Sequence, residues 1–271
     1  MMKSLESQGL LKWIFYLYKK SNGGFTVEKE NKIELKVYGK YALFTDPITR
    51  TGGEKFTYQV PTYQALKGIL ESVYWKPTFT WIIDECRIMK PIQTKTQGVR
   101  PLVYSGGNTL AYYTYLRDVE YQIKAHFEWN ENRPELECDR NENKHFFIAK
   151  RMLERGGRRD IFLGTRECQA YVEPCIFGEG EGFYDEIEEL AFGMMVHGIT
   201  YPDEAKTEEE KGKLIGRFWN PVMKKGVITF IRPEECTLNR TIGSGKRKEF
   251  NEKNFNGLKE FEKEGEIFEL E

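Results

Sequence analysis

Residues 119–129 read Val-Glu-Tyr-Gln-Ile-Lys-Ala-His-Phe-Glu-Trp, and every odd position is apolar while every even position is polar. Because successive side chains of a strand point to opposite faces, this alternation predicts a β-strand with one buried face. The polar face of the predicted strand carries Lys124 and His126. It is the clearest strand signal in the chain.

Before this strand, the sequence predicts two further strands and a helix. Residues 33–37 alternate as a half-buried strand does, and a second strand runs through residues 79–83 and on past Ile88. Between them, apolar residues recur at helical spacing from Pro61-Thr62 to the stop at Pro77, with Tyr74 in the last turn. A segment rich in Gly, Tyr and Arg, residues 93–116, is expected to be an insertion between the two middle strands.

After this strand, a second helix is predicted over residues 144–155. Residues 139–143 offer several N-cap side chains, and Gly156-Gly157 supplies a C-terminal stop. A strand-like run follows around residues 168–172. The order β-α-β-β-α-β predicts an α+β, ferredoxin-like (RRM-like) domain, in which two helices cover one face of a four-stranded antiparallel sheet.

These elements predict a ferredoxin-like domain over residues 32–172. A smaller β-rich domain is expected over residues 173–242, because strand-like runs and glycine-containing turns continue there. Residues 1–31 are expected to lie outside the main fold, and residues 243–271 form a predominantly charged tail. The nine-residue apolar run near the N-terminus is too short to span a bilayer.

Charge and cysteine content narrow the class of protein. Of the 271 residues, the first 172 contain 27 Lys and Arg against 20 Asp and Glu, whereas the last 99 contain 14 against 22. The first part is therefore suited to a polyanion. The five cysteines form no CxxC pair, which indicates reduced thiols in a cytoplasm and argues against a structural zinc site. The chain has only three histidines, and no cofactor is expected.

The residues suited to chemistry are Lys144 and His145, at the start of the second predicted helix. A helix N-terminus attracts anions, and here it gains an ammonium group and a proton-transfer group. Tyr74, at the end of the first helix, is expected to approach this pair if the helices run antiparallel. Such a trio suits cleavage of RNA by its own 2′-hydroxyl without a metal. The structural alternatives are a solvent-exposed Lys-His pair and a packed core tyrosine.

Further basic residues are candidates for RNA contacts. Arg158 and Arg159 follow the Gly156-Gly157 turn, and their planar guanidinium groups suit phosphates. Arg100 and Arg117 flank the tyrosine-rich insertion, and Lys124 lies on the polar face of the central strand.

Two weaker signals are given structural interpretations. His197 lies in an apolar run and is expected to be a hydrogen-bonded structural residue. Cys168 has no evident base nearby, which argues against a thiol enzyme.

Several segments taken together closely resemble the type I-C (Dvulg subtype) CRISPR-associated protein of the fifth Cas family, one of the RAMP proteins. The likeness runs from about Ile33 to about Glu235 and rests on segments 41–47 (YALFTDP), 60–69 (VPTYQALKGI), 74–77 (YWKP), 98–101 (GVRP), 106–110 (GGNTL), 143–145 (NKH) and 156–164 (GGRRDIFLG).

This resemblance implies a metal-independent endoribonuclease that cuts the CRISPR precursor transcript within each repeat, next to the stem-loop, and leaves 2′,3′-cyclic phosphate and 5′-hydroxyl ends. It implies a Tyr-Lys-His triad, matched here by Tyr74, Lys144 and His145. It also implies that the protein stays on the 5′ handle of the mature crRNA in a Cascade complex, with backbone and large subunits as partners.

Two other functions stay open at this point. Relatives in other CRISPR subtypes grip the guide RNA without cutting it, so a non-catalytic scaffold is the main alternative. A general RRM-like nucleic-acid module is the other, although no RNP-type aromatic run is visible. The sequence does not decide whether double-stranded DNA is also bound, or which member of the trio is the general base.

Overall fold

The computed structural model describes residues 31–47, 49 and 53–245, which contain two α-helices and thirteen strands in a mixed, predominantly antiparallel fold. The helices are α1 (Tyr63–Val73) and α2 (Glu142–Glu154). The strands are β1 (Lys32–Ala42), β2 (Lys55–Phe56), β3 (Phe79–Ile88), β4 (Thr94–Val99), β5 (Ala111–Trp129), β6 (Ile161–Phe162), β7 (Gln169–Pro174), β8 (Leu190–Ala191), β9 (Met195–Thr200), β10 (Lys213–Trp219), β11 (Val222–Lys224), β12 (Val227–Thr229) and β13 (Leu238–Ser244).

The central strand β5 organises the larger sheet. Its odd-numbered residues from Tyr121 to Phe127 are buried, as the alternation predicts. β5 pairs antiparallel with β1 on one side and with β3 on the other, and β7 pairs antiparallel with β1. The predicted succession β1-α1-β3-β5-α2-β7 is therefore present, with the strands side by side in the order β7-β1-β5-β3.

The strands after residue 174 divide between two sheets. β12, β11 and β8 extend the larger sheet beyond β3, whereas β9, β10 and β13 form a separate three-stranded sheet. A glycine-containing turn of the kind predicted for this region precedes β12, where Lys225 and Gly226 both have positive φ. The predicted domain boundary at residue 172 stays a prediction. The predicted tail begins within β13, and residues 246–271, like residues 1–30, lie outside the described residues.

The predicted insertion at residues 93–116 lies between β3 and the central part of β5, as expected, and it has regular structure of its own. β4 pairs with the first part of β5, from Thr94 opposite Leu116 to Val99 opposite Ala111, so the segment is a long β-hairpin. Its tyrosines are divided: Tyr115 is buried, whereas Tyr104 at the tip is fully exposed.

No helix in the described part of the chain is both long and apolar enough to cross a bilayer.

Candidate active site

The start of α2 determines where Lys144 and His145 point. Asn141 is the N-cap, and its side chain accepts a hydrogen bond from the backbone N–H of Lys144 at 3.0 Å. His145, Ala149 and Leu153 recur every fourth residue and form the buried face of the helix. Lys144 precedes this face, and its side chain is 47% exposed. The start of the helix therefore directs the imidazole into the protein and the ammonium group towards solvent.

Tyr74 reaches His145 from the end of α1. It is the C-cap of that helix, with extended backbone, and its carbonyl accepts a hydrogen bond from the indole of Trp81. Its hydroxyl oxygen lies 2.9 Å from Nδ1 of His145, across 71 residues of sequence. The predicted approach of Tyr74 to the start of the second helix is confirmed.

The second ring nitrogen of His145 defines the direction of that hydrogen bond. Nε2 lies 2.8 Å from the backbone carbonyl oxygen of Asp139. A carbonyl oxygen only accepts, so Nε2 carries the proton, and in the neutral imidazole Nδ1 is then an acceptor. Tyr74 therefore donates to Nδ1. Both nitrogens are occupied, and the pair is covered: Tyr74 is 3% exposed and His145 0%.

The environment of His145 favours its neutral form. Phe79, Phe127 and Trp129 contact the imidazole, with ring centroids 5.2–6.4 Å away. This burial lowers the pKa of His145, and the positive charges of Lys144 and Lys76 lower it further, against the opposing effect of Asp139. The imidazole is therefore neutral at pH 7, as an acceptor of protons must be.

Tyr74 does not become more acidic in this site. Burial raises the pKa of Tyr74, the negative charge of Asp139 raises it further, and the nearby Arg158 only partly offsets these effects. Tyr74 is therefore a neutral phenol at pH 7 and is not itself a base.

Asp139 also belongs to this site, although the sequence indicated it only as a helix-cap candidate. Its carboxylate forms an ion pair with Lys144, accepts a hydrogen bond from Thr78 at 2.7 Å, and lies 3.8 Å from Nζ of Lys76. Burial alone would raise its pKa, but these contacts outweigh burial and lower the pKa to about 2. Asp139 is therefore charged at every physiological pH.

Of the five predicted RNA-binding residues, two lie beside this site. The backbone N–H groups of Arg158 and Arg159 donate to the carbonyl of Ser72, in the last turn of α1, so the chain returns next to Tyr74. Both side chains are exposed. The glycines before them have φ of +83° and +106°, which confirms the predicted helix stop.

The other three are not brought together with the site. Lys124 pairs with Glu85 on the neighbouring strand at 3.1 Å. Arg117 is exposed on β5, seven residues before Lys124, which corresponds to about 23 Å along an extended strand. Arg100 is exposed at the end of β4, in the hairpin. The predicted basic residues therefore form a dispersed surface rather than one site.

The remaining histidines have local partners. Nε2 of His197 donates to the carbonyl of Ile231 at 2.9 Å and the ring stacks on Tyr63, which confirms the predicted structural role. His126 lies 2.9 Å from the carboxylate of Asp84. Within residues 31–47, 49 and 53–245, no group of three or more His, Cys, Asp or Glu side chains is arranged to hold a metal ion.

Comparisons with known proteins agree on one family. The Cas_Cas5d family model, described as CRISPR-associated protein (Cas_Cas5), matches residues 32–231. The CRISPR pre-crRNA endoribonuclease Cas5d of Mannheimia succiniciproducens is 28% identical over 227 residues, which cover 73% of this chain and 94% of the relative. The protein of the same name from Thermus thermophilus is 26% identical over 196 residues, covering 69% and 81%.

A solved structure titled as a CRISPR-associated protein supports the same assignment. It is 39% identical in sequence and superposes with a TM-score of 0.66. The match covers 78% of this chain and 96% of that structure. The family model spans most of the chain, and the resemblance found in the sequence is thereby confirmed. The chain belongs to the Cas5d family of CRISPR-associated proteins.

Proposed function

We propose that this protein is an endoribonuclease that cleaves CRISPR precursor RNA within the repeat, next to the stem-loop. The single observation that carries the proposal is the buried hydrogen bond from Tyr74 to His145, with Lys144 at the adjacent surface. A proton acceptor, a hydroxyl and a cation are the groups that this reaction needs. The names of the Mannheimia and Thermus relatives, pre-crRNA endoribonuclease, support the same activity.

The proposed reaction is an internal transesterification. The 2′-oxygen of the nucleotide before the cut attacks phosphorus, so that a P–O2′ bond forms and the P–O5′ bond breaks. The products are a 2′,3′-cyclic phosphate and a 5′-hydroxyl. One proton leaves the 2′-hydroxyl and one is gained by the 5′-oxygen, so the reaction consumes no water and needs no redox partner. Metal independence is part of the proposal.

In the proposed mechanism, Tyr74 and His145 act as a proton relay. The Tyr74 hydroxyl passes its proton to Nδ1 of His145 as it takes up the proton of the 2′-hydroxyl. The leaving 5′-oxygen, on the opposite side of phosphorus, takes its proton from solvent, and His145 afterwards returns the proton it has gained to solvent. His145 is thus the ultimate base, and the high pKa of Tyr74 is no obstacle, because the phenol never has to exist as a free phenolate.

Lys144 stabilises the charge that develops on the phosphate oxygens. Its ammonium group is half-exposed while the relay is covered, so the phosphate reaches Lys144 first. Arg158 and Arg159 bind the RNA backbone on either side of the cut, beside Tyr74. Arg100, Arg117 and Lys124 belong to a more distant RNA contact surface along β5 and the hairpin.

The fold proposed for the catalytic part is ferredoxin-like, of the RRM-like RAMP type, over residues 32–172. The order β7-β1-β5-β3 and the antiparallel pairing of each neighbour support it. The separate sheet of β9, β10 and β13 supports a smaller β-sheet domain within residues 173–242. The protein is proposed to act in the cytoplasm, where free thiols such as its five cysteines persist.

After cleavage, the protein is proposed to stay on the 5′ handle within a type I-C Cascade complex. This part of the proposal rests on membership of the family. It predicts that the cleaved repeat RNA co-elutes with the protein in size-exclusion chromatography, and that the backbone and large subunits co-purify with the complex.

The experiment that tests the activity is incubation of the purified protein with its own repeat RNA in EDTA. Cleavage at one position with 2′,3′-cyclic phosphate ends is expected. Intact RNA despite tight binding would instead support the scaffold function. Comparable affinity for unrelated RNA hairpins, again without cleavage, would support a general RNA-binding module.

A further inference from the structure

Two lysines, not one, converge on Asp139. Lys144 pairs with Oδ1 of the carboxylate, and Nζ of Lys76 lies 3.8 Å from Oδ2. Both side chains are about half exposed, at 47% and 42%. Two solvent-accessible ammonium groups thus lie next to the carboxylate of Asp139, and the backbone carbonyl of Asp139 contacts His145.

The position of Lys76 follows from that of Tyr74. α1 ends at Val73, and Tyr74 has the extended backbone of a strand. Residues two apart in an extended chain point to the same side. Tyr74 accordingly reaches His145 and Lys76 reaches Asp139, while the intervening Trp75 is exposed.

The charge balance around Asp139 gives Lys76 a specific role. Asp139 is negative, and Thr78 and the neutral His145 add no charge. With Lys144 alone, the charges of the groups that contact the carboxylate would sum to zero. Lys76 brings the sum to one positive charge, which matches the single negative charge of an RNA phosphodiester.

The same geometry accounts for how a permanent carboxylate can stand beside a phosphate. A phosphate in direct contact with Asp139 would be repelled by it. With Lys76 and Lys144 between them, each ammonium group contacts the carboxylate on one side and an approaching phosphate oxygen on the other. Asp139 then keeps both long, flexible side chains in place before the RNA arrives, which reduces the entropy lost on binding.

We propose that Lys76 is a second cation of the scissile-phosphate site, acting beside Lys144, and that Asp139 holds both ammonium groups next to the Tyr74–His145 pair. The inference rests on the proposed ribonuclease function and adds to it a residue that contacts the substrate. Lys76 neutralises charge on the non-bridging oxygens as phosphorus becomes five-coordinate, and it moves no proton.

The test compares Lys76→Met, Lys76→Arg and a control, Lys150→Met, which removes an exposed lysine from the last two turns of α2. Two quantities are measured for each variant and the wild type. One is the single-turnover rate of repeat RNA cleavage in EDTA. The other is the dissociation constant for the same RNA with a 2′-deoxy nucleotide at the cut, which binds but cannot react.

Removing one preorganised charge donor costs about 100- to 1,000-fold in rate at buried sites, and less at an exposed one. We therefore expect Lys76→Met to cleave about 10- to 100-fold more slowly, with affinity for the 2′-deoxy RNA changed by no more than about threefold. Lys76→Arg, which keeps the charge, should recover most of the rate, and Lys150→Met should match the wild type.

The outcomes separate this inference from the function on which it rests. Wild-type cleavage together with an unchanged rate for Lys76→Met would overturn the role of Lys76 alone. A slow Lys76→Arg variant, as impaired as Lys76→Met, would also overturn it, because charge would not be what matters. Failure of the wild type to cleave its own repeat would overturn the ribonuclease proposal and this inference with it.

Discussion

Replacing Tyr74 by Phe removes one oxygen atom from the site and leaves its aromatic packing. The hydroxyl is the hydrogen-bond donor to Nδ1 of His145, and the ring also contacts Phe79. Phenylalanine keeps the ring contact. The substitution therefore tests the hydrogen bond and the proposed relay with little change in shape.

The expected cost in stability follows from burial. His145 is 0% exposed, so without the Tyr74 hydroxyl its Nδ1 becomes an acceptor with no water to replace the lost donor. An unsatisfied buried polar group costs about 1–3 kcal/mol. Against a typical unfolding free energy of about 5–15 kcal/mol, the variant stays folded. Its cleavage activity can therefore be measured.

The expected cost in rate is larger than the cost in stability. A positioned general acid or base contributes about 100- to 10,000-fold, and the relay has no other route to Nδ1. Tyr74→Phe should thus reduce the single-turnover cleavage rate at least about 100-fold, while affinity for a 2′-deoxy repeat RNA stays within about threefold of wild type. Urea unfolding, RNA cleavage and filter binding measure the three quantities.

Tyr63→Phe is the matched control. Tyr63 lies on the same helix, is also 3% exposed, and its buried hydroxyl lies near the backbone of Ile83 rather than in the site. It should lose a similar amount of stability and keep its cleavage rate. A Tyr74→Phe variant that cleaves at more than one-tenth of the wild-type rate, or that loses activity only as much as Tyr63→Phe does, would refute the relay.

Three further predictions concern His145, the pH dependence of cleavage and two glycines. His145→Ala should abolish cleavage and leave RNA binding nearly intact. Because the substitution leaves a cavity at a buried aromatic position, it should lower the unfolding free energy by about 3–5 kcal/mol. The assays are therefore done at low temperature, with an unfolding control. In the wild type, the cleavage rate should be level near pH 7 and fall only on acidification below the ordinary range of a histidine pKa, because the relay needs neutral His145 and burial lowers the pKa of His145. A rate that instead rises on acidification contradicts this role. Gly164→Ala places a Cβ 2.0 Å from the carbonyl oxygen of Leu43 at a φ of +92°, and chemical denaturation should show an unfolding free energy lower by more than about 4 kcal/mol. Gly106→Ala has a similar φ of +89° but open space around it, so its unfolding free energy should fall by only about 1 kcal/mol.

Local patterns predicted the long elements well, because each was specified by its own residues. The alternation in β5 and the helical spacing between Thr62 and Pro77 need no knowledge of distant parts of the chain. The short strands β8 and β11 were not predicted, and the run that contains β12 was predicted as a strand but not as part of the larger sheet. Two or three residues carry no period, and their membership of the larger sheet depends on the exposed edge of β3, which local sequence does not describe.

Within the site, the sequence indicated Tyr74, Lys144 and His145 but not the residues that connect them. Asp139 precedes a helix, where an Asp is ordinarily a cap, and here Asn141 takes that position instead. Lys76 belongs to no periodic pattern. Their roles depend on a carboxylate reached from two separate segments, and this is a property of the folded chain.

The adjacency of Lys144 and His145 explains how one short motif can supply two kinds of chemistry. Neighbouring residues on a helix differ in direction by about 100°, so when His145 faces the core, Lys144 is turned towards solvent. Proton transfer is thereby placed where water is excluded and the imidazole is neutral, while the cation meets the phosphate at the surface.

The same arrangement restricts how the RNA reaches the relay. Both nitrogens of His145 are occupied, by Tyr74 and by the carbonyl of Asp139. Displacing the carbonyl would leave Nε2–H unpaired in an apolar site and would release the tautomer that makes Nδ1 an acceptor. Approach to the Tyr74 hydroxyl costs neither, because a hydroxyl donates to Nδ1 and still accepts from a 2′-hydroxyl. The 2′-hydroxyl is therefore expected to contact Tyr74 rather than His145, and Tyr74 to be as necessary for cleavage as His145 itself.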